Sequence, residues 1–299
     1  MISMANRGEP SRGGVSQSPE AIPPGMFANL SVGILSYRAH KTLDAALQLH
    51  AAHGLQRAAA EFFVYFNALE EADREIAARA GVAFSGSAEN AGIYGGFRSI
   101  AELASKPYVL ILENDVVPFD GADVIGCLRN CLSDMEAFGI KIFCVRSREN
   151  PGQGDPWKKY IRCFPIARPI NPKIASQQTP WLSRVKMLAE HGYLSKFKGA
   201  GLYAEKAPHT AQPSAIRRLP SGNYLTDSRF RNWSNLALLV ERRFFLDIVC
   251  HRVETNPDPR LVNGNQDIER ALNSWWWRRR REPMGHAGKG AFTHARLDR

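Results

Sequence analysis

The sequence predicts an α/β fold, a mostly parallel central sheet flanked by helices, and three observations predict it. Short apolar runs alternate with segments of helical periodicity from residue 30 to residue 145. One run, Tyr108-Val-Leu-Ile-Leu112, is apolar without alternation, as expected of a parallel strand covered on both faces. The bulk composition, 44% apolar and 23% charged over 299 residues, is ordinary for a soluble globular chain with a sizeable core.

The elements follow in order. Leu30-Ser-Val-Gly-Ile-Leu-Ser36 reads as a buried strand. Thr42 to His53 sets Leu43, Leu47 and Leu49 at roughly helical spacing, with Gly54 as the stop. Glu61-Phe-Phe-Val-Tyr-Phe66 is a second strand, Leu69 to Ala80 a helix ended by Gly81, and Val82-Ala-Phe-Ser85 a short third strand. Ile93 to Ser105 gathers Phe97, Ile100, Ala101 and Ala104 on one helical face before the fourth strand at 108–112. Gly121 to Phe138 is a helix, with Val124, Leu128, Leu132 and Met135 in line, and Ile140 to Val145 a strand. Such alternation implies right-handed crossovers. From Arg146 to about Arg231 periodicity is weak, and loops with short elements are expected; regularity returns at Asn235 to Val249 and from Gln266 to Arg281.

Residues 1–26 are rich in Ser, Gly and Pro and lack the apolar stretch of a signal peptide, so they are expected to form a disordered tail. A single domain is expected at 27–299, with halves at 27–145 and 146–299. No run approaches the about 18 apolar residues that a membrane span needs. The five cysteines form no CxxC pair, so reduced thiols and a cytoplasmic protein are expected. The formal charge of +10 favours an anionic partner without choosing among nucleic acid, lipid surface and phosphorylated substrate.

Glu113-Asn114-Asp115 follows the fourth strand directly. Open parallel sheets bind ligands outside the carboxyl ends of their strands. Residues i and i+2 of an extended segment point the same way, so Glu113 and Asp115 can converge on one divalent cation. Mn²⁺ or Mg²⁺ suits such carboxylates and bridges well to phosphate oxygens.

Taken in order, these segments resemble the family 2-like glycosyltransferases of the GT-A (Rossmann-like) fold. Val32-Gly-Ile-Leu-Ser-Tyr-Arg38 is similar to the opening strand and turn that hold the nucleotide, Phe63-Val-Tyr-Phe-Asn67 to the second strand, and Glu89-Asn90-Ala-Gly92 to the turn before the third helix. Residues 107–115 resemble the strand that leads into the acid-x-acid metal motif. Asn232-Trp-Ser-Asn235 with Phe244-Phe245 resembles the approach to the acceptor-side helix, Gly264-Asn-Gln-Asp267 the motif of the catalytic base, and Gly290-Ala-Phe-Thr-His294 a closing metal-side loop. Three positions depart from the pattern: Phe66 where an Asp often holds the base, Glu113 where the metal motif begins with Asp, and Gln266 where Glu is usual.

The resemblance implies a metal-dependent, inverting transfer from a nucleotide-sugar donor to a glycan or lipid-linked hydroxyl acceptor, in surface polysaccharide or glycan assembly. Ser36, Tyr37, Arg38, Asn67, Asn90, Gly92, Glu113 and Asn114 would contact the nucleotide sugar. Glu113, Asp115 and His294 would hold Mn²⁺ or Mg²⁺, His294 being preferred to His286 for its Gly-Ala-Phe-Thr context. Asp267 would be the general base, with Glu269 a second acid in the same first helical turn.

Trp275-Trp276-Trp277 followed by Arg278 to Arg281 is the most unusual local composition. Ile268, Ala271, Leu272, Trp275 and Trp276 fall near one helical face that should pack on the core, leaving Trp277 and the arginines outside or at the edge; the run suits a core helix ending in cations that complement its dipole, an anionic membrane surface or nucleic acid. Nucleic acid is not expected, because no recognised nucleic-acid motif is present. Lys158, Lys159, Arg162, Arg168, Lys173, Arg184, Lys186, Lys196 and Lys198 crowd the middle segment, facing solvent, the donor diphosphate or an anionic acceptor. The competing readings are an inactive nucleotide-binding relative, a non-enzymatic basic module for lipid or nucleic acid, and a nucleotidyltransferase. Ser36-Tyr-Arg-Ala-His-Lys41 argues against the last, because it has no glycine for a phosphate loop.

Overall fold

The computed structural model describes residues 22–175, 185, 187–189 and 194–295. Most of the expected tail, together with Arg184 and Lys186, lies outside the described residues. Ile22, within the span assigned to the tail, is buried in the main core.

Strands β1 (Phe27–Ser36), β2 (Ala59–Phe66), β3 (Ala83–Gly86) and β4 (Tyr108–Glu113) lie in the order β3-β2-β1-β4, all parallel. Helices α1 (His40–Ala52), α2 (Glu71–Ala80) and α3 (Gly92–Leu103) make the crossovers. Val109 to Leu112 of β4 are wholly buried. Leu110 and Leu112 pack into the core on one face of the sheet, Val109 and Ile111 into the core on the other, following the two-residue period of a strand. Each such side chain contributes about 1.5–3 kcal/mol when taken from water. Glu70 and Asp73 form a capping box at the start of α2, and Gly81 ends it at φ +64°. Helix α4 (Val124–Phe138) starts later than its periodicity suggests, because the Asp123 carboxylate accepts from Gly126 N at 2.8 Å and caps it there.

The second half of the chain extends the sheet in mixed sense. Past β4 come β9 (Leu238–Glu241), β6 (Ile142–Cys144), β10 (Pro283–His286), β8 (Tyr224–Asp227) and β7 (Arg217–Arg218). β9 runs antiparallel to both β4 and β6, β10 parallel to β6, and the outer two pairs antiparallel. Separately, β5 (Val116–Pro118) pairs antiparallel with β11 (Phe292–His294). Among the described residues the middle segment builds a small core of its own, including Trp157, Tyr160, Ile174, Leu202 and Tyr203. The buried Glu205 carboxylate pins it by accepting from Ala167 N, Arg168 N and the Tyr160 hydroxyl at 3.0–3.3 Å. No helix among the described residues is long and apolar enough to cross a membrane. All five cysteines are free, and four of them are buried.

The segment after Gln266 corrects the expected helical face. It forms two helices, Ile268–Leu272 and Trp275–Arg280, interrupted at an extended Ser274. The break resets the helical phase. Trp277 and Arg278 are buried, whereas Trp275 is 65% exposed. Trp277 packs edge-on against Trp233 at 5.7 Å between centroids, and Arg278 donates to the carbonyls of Ser228 and Arg229. Urea unfolding of two variants checks this arrangement: Trp277→Ala is expected to cost about 3–5 kcal/mol, and Trp275→Ala no more than about 0.5 kcal/mol.

Candidate active site

The parallel half of the sheet presents its carboxyl ends together. Register sets Ser36 of β1 opposite Phe66 of β2, and Leu35 opposite Glu113 of β4. Two further backbone bonds extend the alignment past the strands: Asn67 N donates to Ser36 O at 2.9 Å and Asn114 N to Leu35 O at 3.0 Å. Asn67 Nδ2 donates to Gly92 O at 3.0 Å, while Asn90 Oδ1 accepts from Gly92 N at 2.9 Å and closes the turn into α3. Gly92 adopts φ +70°, and a Cβ there would stand 2.5 Å from Asn265 Cβ. Only glycine lets this turn meet the Gly264–Asp267 loop so closely.

Three buried oxygens at this edge have no hydrogen-bond partner: Ser36 Oγ, Asn67 Oδ1 and Asp115 Oδ1. Buried polar atoms are ordinarily paired, so these three leave acceptor capacity unused at the rim. The other oxygen of Asp115, Oδ2, accepts from His294 Nε2 at 2.9 Å. Strand β11 delivers that histidine by pairing it opposite Val116. The loop before β11 turns at Gly290, φ +74°, where a Cβ would fall 2.3 Å from Arg146 O. His286, by contrast, is buried on β10 and makes an edge contact with Tyr203 at 4.9 Å.

Glu113 joins this pair electrostatically. Burial, followed by the charge of Asp115, pushes its carboxyl up to about 7, against the partial relief of His294. The charge of Glu269 acts on Glu113 in the same direction. Glu269 is itself raised, by burial first and then by Asp267, while its Oε1 accepts from Asn235 N at 3.0 Å. Among the described residues no three His, Cys, Asp or Glu side chains stand close enough to form a ready metal cage. The donor chemistry still suits a hard cation: a carboxylate with an unpartnered buried oxygen, a histidine on its other oxygen, and a second carboxyl nearby.

The remaining predicted residues divide. Tyr37 is 42% exposed, and Arg38, at φ +49°, pairs with Glu70 at 3.0 Å, so both lie at the rim. Phe66 is wholly buried edge-on to Phe84 and presents nothing polar. Gln266 accepts from Asp258 N at 3.0 Å and donates to Asp258 O at 3.3 Å, a pair of bonds that a glutamate could not make. Asp267 caps its helix by accepting from Glu269 N at 2.9 Å and pairs with Arg270 at 3.3 Å. Sequence reasoning did not single out Arg146 and Arg231, two buried arginines that line a cavity next to the acids. No short-range signal marks them, because they come from distant segments that meet only in the fold.

No family model matches the chain, and no curated protein matches it. Solved structures do resemble it. Mannosyl-3-phosphoglycerate synthase from Rubrobacter xylanophilus aligns at 16% identity over 46% of this chain and 48% of its own, with a TM-score of 0.34. The mannosyltransferase PcManGT from Pyrobaculum calidifontis, in complex with GDP-Man and Mn²⁺, aligns at 12% over 48% of this chain and 41% of its own, with a TM-score of 0.35. S. aureus TarS 1-349 aligns at 9% over 89% of this chain and 60% of its own, with a TM-score of 0.47. The chain thus spans about half the length of the first two and less than two thirds of the third.

Proposed function

We propose that the chain is a metal-dependent, inverting glycosyltransferase that moves a sugar from a nucleotide-sugar donor to a hydroxyl acceptor. The observation that carries this reading is the row of unpartnered buried oxygens, Ser36 Oγ, Asn67 Oδ1 and Asp115 Oδ1, along the carboxyl edge of the parallel strands. Ser36 and Asn67, with Asn90, Gly92 and Asn114 shaping the same rim, receive the nucleoside. Tyr37 and Arg38 flank it. Asn67 directly follows the buried Phe66, which stands where the resembling family often has an Asp for the base.

Asp115, through its free oxygen, would hold the cation together with Glu113 and His294. A bound Mn²⁺ or Mg²⁺ would stabilise the negative charge that develops on the departing diphosphate. On the acceptor side the geometry favours Glu269 over Asp267 as the base. Both oxygens of Asp267 are engaged in the cap and the Arg270 pair, whereas burial raises the Glu269 carboxyl above its usual range and its charge acts on Glu113. Glu269 takes the acceptor's hydroxyl proton, the acceptor oxygen bonds to the anomeric carbon, and the carbon–oxygen bond to the diphosphate breaks with inversion. Asp267 then positions Glu269 by holding its amide.

Three measurements check this reading. Thermal unfolding with a panel of nucleoside diphosphates is expected to show stabilisation by one of them, about 2.7 kcal/mol at a hundredfold excess over Kd, in Mn²⁺ or Mg²⁺ but not in EDTA. Asp115→Ala should abolish the cation dependence; retention of it rejects the assignment. Glu113 yields a pH signature in the metal-free protein. Its folded pKa of about 7 exceeds the unfolded 4.5, so the folded state holds the extra proton between them. Stability from this group is full below 4.5 and lost as pH rises to about 7. Glu113→Gln should therefore gain on the wild type between pH 5 and pH 8, and parallel curves would refute the raised pKa. Slow hydrolysis of the sugar nucleotide, with water as acceptor, tests the base: Glu269→Gln is expected to lose about 100-fold or more and Asp267→Asn about tenfold. The opposite order would return the role to Asp267.

A further inference from the structure

Beside the acidic site lies a cavity of about 160 Å³. Arg146, Lys159, Lys196 and Arg231 line it, and no Asp or Glu does so among the described residues. Arg146 and Arg231 are 6% and 8% exposed. Arg146 donates to the carbonyls of Pro151 and Gln153, each at 2.6 Å, and Arg231 to that of Gly285 at 3.3 Å. Carbonyls satisfy the geometry of a guanidinium but do not neutralise it; beside Arg231, the charges of His286 and Arg231 hold the buried Cys144 thiol well below the usual thiol range against its desolvation. Lys159 and Lys196 stand over the same Phe197 ring, at 5.8 and 5.2 Å. Burial, then the charges of Arg278 and Lys159, lower the Lys196 ammonium below the usual lysine range. Four cationic side chains thus line this wall.

Size and place narrow the occupant. An engineered apolar cavity of about 150 Å³ holds one benzene ring, whereas whole-ligand pockets run to about 300–1,000 Å³. This cleft has room for one phosphate- or carboxylate-bearing fragment. Ser234 lines it, and the next residue, Asn235, donates its amide to Glu269. The charge of Lys159 also reaches Glu269, where it favours the ionised carboxylate. The anion seat and the proposed base are thus neighbours.

We propose that this cavity seats an anionic group, a phosphate or a carboxylate, carried by the acceptor whose hydroxyl Glu269 deprotonates. The proposal rests on the transfer reading of the adjoining carboxylates. The donor's diphosphate is the other source of the same chemistry, and competition separates the two.

Calorimetric titration of the full chain at fixed ionic strength tests it, with inorganic phosphate, glycerol 3-phosphate and glycerol as probes. Phosphate and glycerol 3-phosphate should bind and glycerol should not. Lys159→Gln and Lys196→Gln, which leave the buried arginines in place, should each weaken binding about tenfold or more, by analogy with the cost of a charged hydrogen bond. Saturating nucleoside diphosphate with Mn²⁺ should leave the phosphate affinity unchanged. No phosphate binding, binding indifferent to both lysine variants, or displacement by the diphosphate overturns the proposal. So does a tenfold fall on Asp115→Ala. A chain that binds phosphate as described but no nucleoside diphosphate overturns the transfer reading instead.

Discussion

The hydrogen-bond register of β1 between β2 and β4 is the constraint from which the site follows. Pairing Ser36 with Phe66 and Leu35 with Glu113 brings three strand ends level. The next amides, Asn67 N and Asn114 N, then bond back to β1 and carry the alignment past the strands. A one-residue slip would turn Ser36, Asn67 and Asp115 away from one another. The apolar cores on both faces of β4 prevent that slip, since it would expose Leu110 and Leu112 to the wrong layer. Packing energy in the sheet thus maintains polar geometry at its edge.

The surroundings of that edge are divided by charge. Glu113, Asp115, Asp267 and Glu269 gather on one side, where burial first and the neighbouring acids second raise the carboxyls of Glu113 and Glu269. Arg146, Arg231, Lys159 and Lys196 gather on the other. The charge of Lys159 reaches Glu269 in the one set and Lys196 in the other.

The parallel half of the fold was legible because its signals are local. An unbroken apolar run means a strand covered on both faces, and the Glu113–Asp115 triplet gains meaning from following one. The mixed half was less legible. Asn235 to Val249 reads as one regular stretch, yet the chain changes from strand to helix between Glu241 and Arg242. Strands as short as β9 and β10 give too few residues for a period. The tryptophan run misled for a related reason: a single extended residue, Ser274, rotates every later side chain, so Trp277 and not Trp275 enters the core. At the site, the sequence offered Asp267 and Glu269 together, and only the helix cap distinguishes their surroundings. Arg146 and Arg231 carried no pattern at all.

The contact between His294 and Asp115 joins residues 179 apart. Closing so long a loop costs entropy that grows only as the logarithm of its length, so the contact is affordable once the fold exists. Its kinetic consequence is larger. Pairings this distant form after local ones in a folding chain, and sheets dominated by them fold slowly. The parallel strands β1 to β4 can therefore be assembled before β11 docks on β5. In that interval Asp115 and Glu113 sit together without the histidine that offsets their repulsion, and the acidic edge becomes a point of frustration which the arrival of β11 relieves.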